Sequence, residues 1–318
     1  MVANRGLFSI VGMPRCGTTF LYQNLQSHPS IYCPFRKETN YFSVHFDRGI
    51  SWYEGMFSGR NADQICADIS PSYFLDPRAI ERIQAYDPNI KIVLGVRRPS
   101  CFALSFYNQV CTHHLRSVPK FSDFATDYPY PISGRTVRMR LEGGWIIEQI
   151  KNYRAAFGDD LLIYNFELIR RDPLAVLQAI EAFLGLPSFH GPDNFDRSIV
   201  NASGRNYTML THLLTREWAI DLIGAMFPRR WIIAMRSEIY RQSGEGVDLR
   251  STMNTDEDIQ LSRQIFAEDD LLVKAMFESS DLLLGSGSAF ESLRKMSSHS
   301  AGEAHDPLVS NVNTRCPN

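Results

Sequence analysis

The sequence has no strong excess of either charge, few cysteines and no long apolar run. Its 33 Lys and Arg nearly balance 35 Asp and Glu, so global charge does not favour nucleic acid or a bulk polyanion as a partner. Uninterrupted apolar stretches stay below the roughly 18 residues that suggest a membrane-spanning helix. The six cysteines show neither C-x-x-C nor Cys/His zinc spacing. This argues against a metal site and favours free thiols.

The composition that remains favours one large domain. The chain has 318 residues, of which 44% are hydrophobic and 21% charged, which is enough for a single α/β core. Towards the C-terminus the composition shifts to Ser, Gly, His, Asn and Pro, so we predict a domain over residues 1–291 and a loose tail over 292–318. Because the N-terminus runs almost directly into a strand without a signal-peptide pattern, we expect a cytoplasmic protein.

Apolar runs and helix-like segments alternate along the first 190 or so residues. Strands that are apolar at nearly every position and separated by helices predict a P-loop-like parallel sheet flanked by helices, followed by a helical C-terminal part. Such a sheet binds ligands beyond the carboxyl ends of its strands. The predicted strands are Leu7–Val11, Ile65–Ile69, Ile90–Val96 and Leu161–Phe166, and the predicted helices are Thr18–Gln26, Arg78–Tyr86, Ser100–Val110, Trp145–Phe157, Pro173–Leu184, Tyr207–Phe227, Asp256–Phe266 and Asp269–Leu284.

The segment from Phe8 to Leu21 is an apolar strand that runs into a Gly/Thr turn and then a helix. Backbone N–H groups and the dipole at such a helix start attract a phosphate or sulfonate. The turn reads G-x-x-x-x-G-T-T and so differs from the nucleoside-triphosphate loop G-x-x-x-x-G-K-[ST], because Thr18 replaces the lysine and the cation is Arg15. A P-loop nucleotide kinase or phosphotransferase, which would bind ATP with Mg²⁺, is thereby weakened but stays the alternative.

Several motifs resemble those of the PAPS-dependent sulfotransferases. Pro14–Leu21 resembles the 5′-phosphosulfate loop P-[KR]-S-G-T-T-x-L, and Ile92–Tyr107 resembles the 3′-phosphate element, a strand ending in R-x-P before a helix with A-x-S-x-Y. Between them, Arg36–Phe42 and Asp68–Phe74 are similar to K-E-x-x-[FY]-F and E-K-[ST]-P-x-Y-F of the heparan-sulfate-type branch. The resemblance covers roughly residues 6 to 190. It implies PAPS as the cofactor and PAP as its product.

The resemblance also implies which residues bind this cofactor. Negative charge grows on the departing 5′-phosphate, where preorganised donors are most effective, and arginine offers a forked set of donors to phosphate. The family often has an arginine at the position of Phe102, so Arg205 is a candidate replacement. The implied 5′-phosphosulfate contacts are Arg15, Cys16, Gly17, Thr18, Thr19 and Phe20, and the implied 3′-phosphate contacts are Arg97, Ser105 and Arg205.

Glu38 is the predicted general base, because the similar branch uses the glutamate of its K-E segment to remove the acceptor proton. Lys37 and Arg15 are predicted to assist catalysis, since Ile69 stands where the E-K-[ST]-P segment carries a catalytic lysine. A dipole-stabilised glutamate and an exposed lysine are the plainer interpretations. The competing bases are His45, His113 and His114.

Three further expectations concern a thiol and the acceptor. Cys16 at a helix N-terminus is expected to have a lowered thiol pKa. Trp52, Tyr53 and Phe57 are candidates for an acceptor pocket, although helix packing explains their spacing equally well. The stretch from Leu115 to Pro131 is rich in Ser, Lys, Pro and Tyr and is predicted to be an acceptor-side loop.

The sequence therefore predicts a cytoplasmic sulfotransferase of secondary metabolism that uses PAPS to sulfate a hydroxyl or an amine. The expected acceptor is a small molecule or a saccharide, and the expected chemistry is one in-line step without metal or covalent intermediate. A catalytically silent nucleotide-binding protein is the other alternative, favoured by Ile69 and Phe102. It predicts cofactor binding without turnover. Acceptor identity, sulfation on oxygen or nitrogen, and oligomeric state are left open.

Overall fold

The structure, a computed structural model, describes residues 6–113, 120–132, 135–139, 141–196, 254–277 and 283–284. A six-stranded sheet with the strand order β2-β3-β1-β4-β7-β8 forms its centre, and β5 and β6 form a separate antiparallel hairpin. Neighbouring strands of the central sheet are parallel except β8, which is antiparallel to β7. The strands are β1 (Leu7–Gly12), β2 (Ile31–Tyr32), β3 (Ile65–Ile69), β4 (Lys91–Val96), β5 (Tyr128–Ile132), β6 (Arg135–Met139), β7 (Leu161–Asn165) and β8 (Leu283–Leu284).

Helices cover both faces of this sheet, which confirms the predicted α/β class. Short 3₁₀ helices span Phe46–Arg48, Pro71–Leu75 and Gly158–Asp160. None of the helices in the described ranges is long and apolar enough to cross a membrane. The α-helices are α1 (Thr18–Leu25), α2 (Ile50–Gly55), α3 (Arg78–Tyr86), α4 (Pro99–His113), α5 (Phe121–Asp127), α6 (Trp145–Phe157), α7 (Phe166–Arg171), α8 (Pro173–Leu184), α9 (Asp256–Ile265) and α10 (Ala267–Met276).

The central strand β1 is buried along its whole length because it lies between two parallel neighbours and two helical layers. Leu7 and Val11 face one hydrophobic core. Phe8 and Ile10 face the other, as the alternation of side chains along a strand requires. Gly12 ends the strand against Gly95 of β4, where a side chain would collide with the neighbouring backbone. This close approach brings the ends of β1 and β4 together, at the edge where ligands of such sheets bind.

The predicted C-terminal helix Asp269–Leu284 is wrong in its second half. Helix α10 ends at Met276, and β8 pairs with β7 instead. The first turn of α10 carries two carboxylates that cap other helices. Asp270 accepts from the backbone N–H and hydroxyl of Ser100 in α4, and Asp269 accepts from the N–H of Gly144 before α6. These caps attach the C-terminal helices to the sheet domain.

A buried carboxylate and two histidines attach the segment after α8 to α1. Glu181 of α8 lies 2.5 Å from Nδ1 of His190 and also accepts the backbone N–H of His190. The other ring nitrogen of His190 lies 3.2 Å from the carbonyl of Asn24 in α1. Because its two ring nitrogens contact α8 and α1, His190 links these two helices. His28 lies behind the pair, with its Nε2 3.8 Å from the carboxylate of Glu181.

Two other predictions need correction. The stretch predicted as an acceptor-side loop instead contains α5 and the strand β5, because Phe121 and Phe124 form an apolar helix face that packs into the core. The expectation of free thiols holds for four cysteines, whereas Cys101 is disulfide-bonded. The predicted helix over residues 207–227 and the tail over 292–318 lie outside the described residues.

Candidate active site

The turn between β1 and α1 spans residues 13–17 and leads directly into the N-terminus of α1. Arg15 (φ 71°) and Gly17 (φ 80°) both adopt the left-handed conformation that bends the chain around a small anion. A non-glycine residue in this conformation is costly and is typical of functional sites. The N-cap residue of α1 is Gly17, which has no side chain to cap the helix, and the first turn of α1 carries no acidic residue. The helix dipole therefore presents its positive end at this turn.

Three contacts hold this turn, residues 13–17, which we call the anion loop, against the ends of its neighbouring strands. The backbone N–H of Met13 donates to the carbonyl of Gly95 at 3.0 Å. The Met13 sulfur accepts the N–H of Arg97 at 3.4 Å. From β7, the hydroxyl of Tyr164 donates to the carbonyl of Cys16 at 2.7 Å. The loop is thus fixed in shape before any ligand binds.

Two of the predicted loop contacts have side chains that point into the core. The Cys16 side chain is fully buried, and burial raises its thiol pKa to about 12 despite the nearby Arg97 and Arg15. The expected lowering of this pKa is therefore wrong, because desolvation outweighs the positive charges. Phe20 is buried in the opposite core. At both positions the side chain is therefore directed away from solvent, which leaves the backbone N–H as the group that could contact an anion.

Arg97 lies at the end of β4, buried to 5% exposure, with its guanidinium 4.7 Å from the ring centre of Phe166. Burial lowers its pKa to about 10, although Cys16 and Glu167 act in the opposite direction, and Arg15 lowers it further. The Coulombic effect of Arg15 shows that the two arginines share one electrostatic environment at this edge of the sheet. An anion bound between them would relieve both the desolvation and the repulsion.

The other residues of the predicted 3′-phosphate site lie on and beyond α4. Ser105 is half-buried on this helix, and Asp270 already occupies the N-terminus of α4, so side chains rather than the helix end are left for a phosphate there. Arg98, which is not among the predicted phosphate contacts, is half-buried and donates to the sulfur of Cys101. Arg205 lies outside the described residues.

Lys37 joins the anion loop to the predicted base. Its ammonium donates to Oγ1 of Thr18 at 3.3 Å and to Oε1 of Glu38 at 2.7 Å. The Lys37 side chain is only 13% exposed, whereas that of Glu38 is 44% exposed. The tertiary structure therefore brings a cation and a solvent-accessible carboxylate to the first residue of α1, which is where sulfonate transfer would require them.

This arrangement agrees with a family comparison. The sequence model of the sulfotransferase domain family matches residues 7–209 of this chain. The chain belongs to this family. The match includes the anion loop, the Lys37–Glu38 pair and Arg97, so the family suggested by the motifs is confirmed.

Similar proteins include heparan sulfate sulfotransferases. The chain is 29% identical over 181 residues to heparan sulfate glucosamine 3-O-sulfotransferase 6 of Mus musculus, covering 56% of this chain and 51% of that one. It is 29% identical over 194 residues to the bifunctional heparan sulfate N-deacetylase/N-sulfotransferase 4 of the same species, covering 56% and 22%. The chain thus spans about half or less of the length of these relatives. A solved sulfotransferase from Alicyclobacillus acidocaldarius matches with a TM-score of 0.49 and 22% identity, over 69% and 93% of the two chains.

Within this sulfotransferase domain, two departures from the motifs have a structural cause. Ile69, at the position of the motif lysine, is fully buried in the core that also contains Phe20. Phe102, at the position of the motif arginine, is fully buried and stacks on Phe106 with ring centres 5.6 Å apart. Both positions face apolar cores, so an apolar residue replaces a charge that would be costly to bury there.

Of the three predicted acceptor aromatics, two are fully buried and one is half-buried. Tyr53 and Phe57 are fully buried in the core and cannot line an acceptor pocket. Trp52 is half-buried, and the guanidinium groups of Arg48 and Arg36 lie 4.7 Å and 6.0 Å from its ring centre. Since Arg36 directly precedes Lys37, this aromatic and cationic surface adjoins the segment that carries Lys37 and Glu38.

Of the competing bases, His45 is 1% exposed and packs edge-on against Trp52, and such burial does not favour proton exchange with an acceptor. The side chain of His113, and His114 as a whole, lie outside the described residues. The sequence reasoning missed Tyr164 and Phe166, which support the loop and Arg97 from β7 and α7. Their signal was weak, because a tyrosine near the end of a strand and a phenylalanine after it are ordinary core residues.

Proposed function

We propose that this domain transfers a sulfuryl group from PAPS to a hydroxyl or an amine of a small-molecule or saccharide acceptor. The observation that carries the proposal is the contact of Lys37 with both Thr18 and Glu38. It puts a cation and a candidate base beside a preformed anion loop. Because the chain covers only part of its relatives' lengths, their acceptors are not transferred to it directly.

PAPS, when bound, supplies a sulfonate activated as a mixed anhydride with the 5′-phosphate. Arg15 and the backbone N–H groups of Gly17, Thr18 and Thr19 would hold this phosphosulfate. Arg97 would bind the 3′-phosphate, with Ser105 at one side. The residues fit such a ligand, because the left-handed turn, the helix dipole and two neighbouring arginines all favour a compact polyanion.

Lys37 would stabilise negative charge on the departing 5′-phosphate, since its ammonium already contacts the first residue of α1. Glu38 would accept the proton of the attacking hydroxyl or amine. Its exposed carboxylate can meet an acceptor from solvent, and its ion pair with Lys37 holds it beside the anion loop. These donors are in place before the reaction, which favours a single in-line displacement.

On the acceptor side, we infer that Trp52 forms a wall of the binding site, with Arg36 and Arg48 beside it. An indole face accommodates a planar or sugar ring, and the arginines favour acceptors that carry negative charge or many hydroxyl groups. Phe46, which is 42% exposed, extends this surface.

The first experiment is calorimetric titration of the protein with PAP and, separately, with ATP and Mg²⁺. Tight PAP binding and weak ATP binding are expected, because the loop lacks the lysine that reaches the outer phosphates of a triphosphate. Preference for ATP with Mg²⁺ would replace the proposal with the kinase alternative. Incubation with ³⁵S-labelled PAPS and a panel of phenols, amines and saccharides then identifies the acceptor.

The role of Glu38 is tested by Glu38→Gln, with Glu81→Gln on the exposed surface of α3 as the matched control. The glutamine keeps the shape but cannot accept a proton, so we expect PAP affinity to be kept and turnover to fall about 100- to 10,000-fold. Full turnover in Glu38→Gln would move the base to a histidine. Absence of turnover in the unmodified protein with every acceptor, despite PAP binding, would favour the catalytically silent alternative.

A cytoplasmic location and a role in secondary metabolism stay predictions. Cell fractionation with an antibody to this chain tests the first. The chemical nature of the acceptor found in the labelling experiment tests the second.

A further inference from the structure

A fully buried carboxylate lies next to the segment that carries Lys37 and Glu38, which we call the catalytic segment. Asp68, at the end of β3, accepts hydrogen bonds from four hydroxyl groups. Tyr73 and Ser70 donate at 2.7 Å, and Tyr53 and Thr39 at 3.0 Å. No ion pair in the described part of the chain includes Asp68.

Burying a carboxylate costs free energy, so the groups that surround Asp68 indicate its role. Burial raises the pKa of Asp68, and the four hydroxyl groups act against this by stabilising the ionised form. A buried carboxylate compensated only by hydroxyl groups needs all of them in place. Three of the donors are Ser70, which directly follows β3, Tyr73 of the next 3₁₀ helix and Tyr53 of α2. The fourth, Thr39, belongs to the segment that carries Lys37 and Glu38.

The segment is held at both ends while its catalytic residues lie between. On the N-terminal side, the hydroxyl of Tyr22 in α1 donates to the carbonyls of Pro34 and Phe35 at 2.9 and 3.1 Å. On the C-terminal side, Asn40 adopts a left-handed conformation (φ 51°), which a non-glycine residue keeps only under constraint. Its backbone N–H donates to Ser70 at 3.2 Å.

Thr39 is the residue through which this support reaches Glu38. Its hydroxyl contacts both carboxylate oxygens of Asp68 and, at 2.8 Å, the hydroxyl of Tyr73. The same oxygen accepts the backbone N–H of Tyr41 at 3.3 Å. The backbone on the C-terminal side of Glu38 is thereby fixed relative to the end of β3.

We propose that Asp68 is a positioning residue that acts through Thr39 to hold Lys37 and Glu38 at the anion loop. This inference rests on the proposed function, since it concerns the site that would bind PAPS. Asp68 is the acidic residue of the segment in which Ile69 replaces the motif lysine. Its positioning role does not depend on that lysine.

The test is a double-mutant cycle of Thr39→Val and Lys37→Ala, read as PAP affinity by calorimetry. Valine has the shape of threonine without its hydroxyl. Lys37→Ala alone should weaken PAP binding about 10-fold or more, because it removes a charge-assisted contact. Thr39→Val alone should weaken it about 3- to 10-fold, and less than about 2-fold when Lys37 is already alanine, since residues acting through one another are not additive.

Matched variants separate positioning from stability. Ser9→Ala removes a buried hydroxyl that donates to the backbone carbonyl of Asp68 and leaves the carboxylate network intact, so PAP affinity should not change. Thr39→Ser keeps the hydroxyl and should restore binding. If Thr39→Val fails to fold, Tyr73→Phe removes another donor to the same carboxylate and should show the same dependence on Lys37.

The outcomes distinguish this inference from the proposed function. Absence of PAP binding in the unmodified protein would contradict the proposed function itself. Normal PAP binding with no loss in Thr39→Val, or with an equal loss whether or not Lys37 is present, would overturn the positioning role. A loss in Ser9→Ala as large as that in Thr39→Val would likewise show a general effect of stability and overturn it.

Discussion

Replacement of Arg97 should improve the stability of the ligand-free protein while damaging cofactor binding. Burial lowers the pKa of Arg97 from 12.5 to about 10. A difference of this size corresponds to about 3 kcal/mol between the charged side chain in the fold and in water. At pH 7, below both values, the guanidinium is charged in the folded and unfolded states, so the folded protein carries this cost in full.

Arg97→Met replaces the charge with an apolar chain of similar length. It removes the cost of about 3 kcal/mol, but it also loses the contact with Phe166, which contributes about 0.5–2 kcal/mol. We therefore expect the ligand-free variant to be more stable by about 1–2.5 kcal/mol, from the difference of these two values. Removing a charge-assisted bond of about 1.5–3 kcal/mol should weaken PAP binding about 10- to 150-fold.

Urea unfolding of the ligand-free protein and calorimetric titration with PAP measure the two effects separately. Arg98→Met is the matched control, because Arg98 is the adjacent arginine and donates to Cys101 instead of lying over Phe166. Its PAP affinity should stay within about 2-fold of the unmodified protein, a change of about 0.4 kcal/mol, because the Arg98 side chain contacts Cys101 and is not among the proposed phosphate contacts. A destabilised Arg97→Met, or one that binds PAP normally, would refute the assignment of Arg97 as a buried anion receptor.

Two further predictions concern the loop and the pH dependence of stability. Gly17→Ala should destabilise the protein by about 1–2 kcal/mol and weaken PAP binding, because φ is +80° and the new methyl group would lie 2.6 Å from Ile169; unchanged unfolding and titration curves would contradict this. Burial lowers the pKa of His28. Just below about pH 6.5, this histidine therefore takes up a proton more readily in the unfolded protein than in the folded one. The pKa of Glu181, which burial alone would raise, is lowered by its bonds with His190. The free energy of unfolding, measured in urea, should thus fall below pH 6.5 and fall again as the pH drops below about 4.5. The variant His28→Gln should show a smaller first decrease. A flat profile of the unmodified protein between pH 7 and 5 would contradict the role of His28.

Much of the fold follows from local patterns. The strand Ile65–Ile69 and the helices Arg78–Tyr86, Trp145–Phe157 and Pro173–Leu184 occur with the predicted bounds, because each is long enough to show its period and has clear ends. Errors arose where a short apolar segment fits either structure. Leu283–Leu284 continues a helical pattern in the sequence, but it pairs as the edge strand next to β7, and only the neighbouring strand decides that choice.

The candidate site divides in the same way. The Gly/Thr turn and the order of the motifs indicated an anion loop and a sulfotransferase, since the chemistry of that turn is contained in a few consecutive residues. The raised pKa of Cys16, by contrast, depends on burial by residues distant in sequence. The position of Cys16 at a helix N-terminus, taken alone, indicated a lowered pKa.

The sequence by itself thus determined the α/β class, the Gly/Thr turn between a strand and a helix, and the family, because these follow from local periodicity and from motifs of a few residues. Only the tertiary structure decided that Lys37 reaches Thr18, that Asp68 gathers four hydroxyl groups and that Phe166 lies against Arg97. These contacts join segments 19 to about 70 residues apart. Their energies depend on burial and on the strand order, which no short stretch of sequence contains.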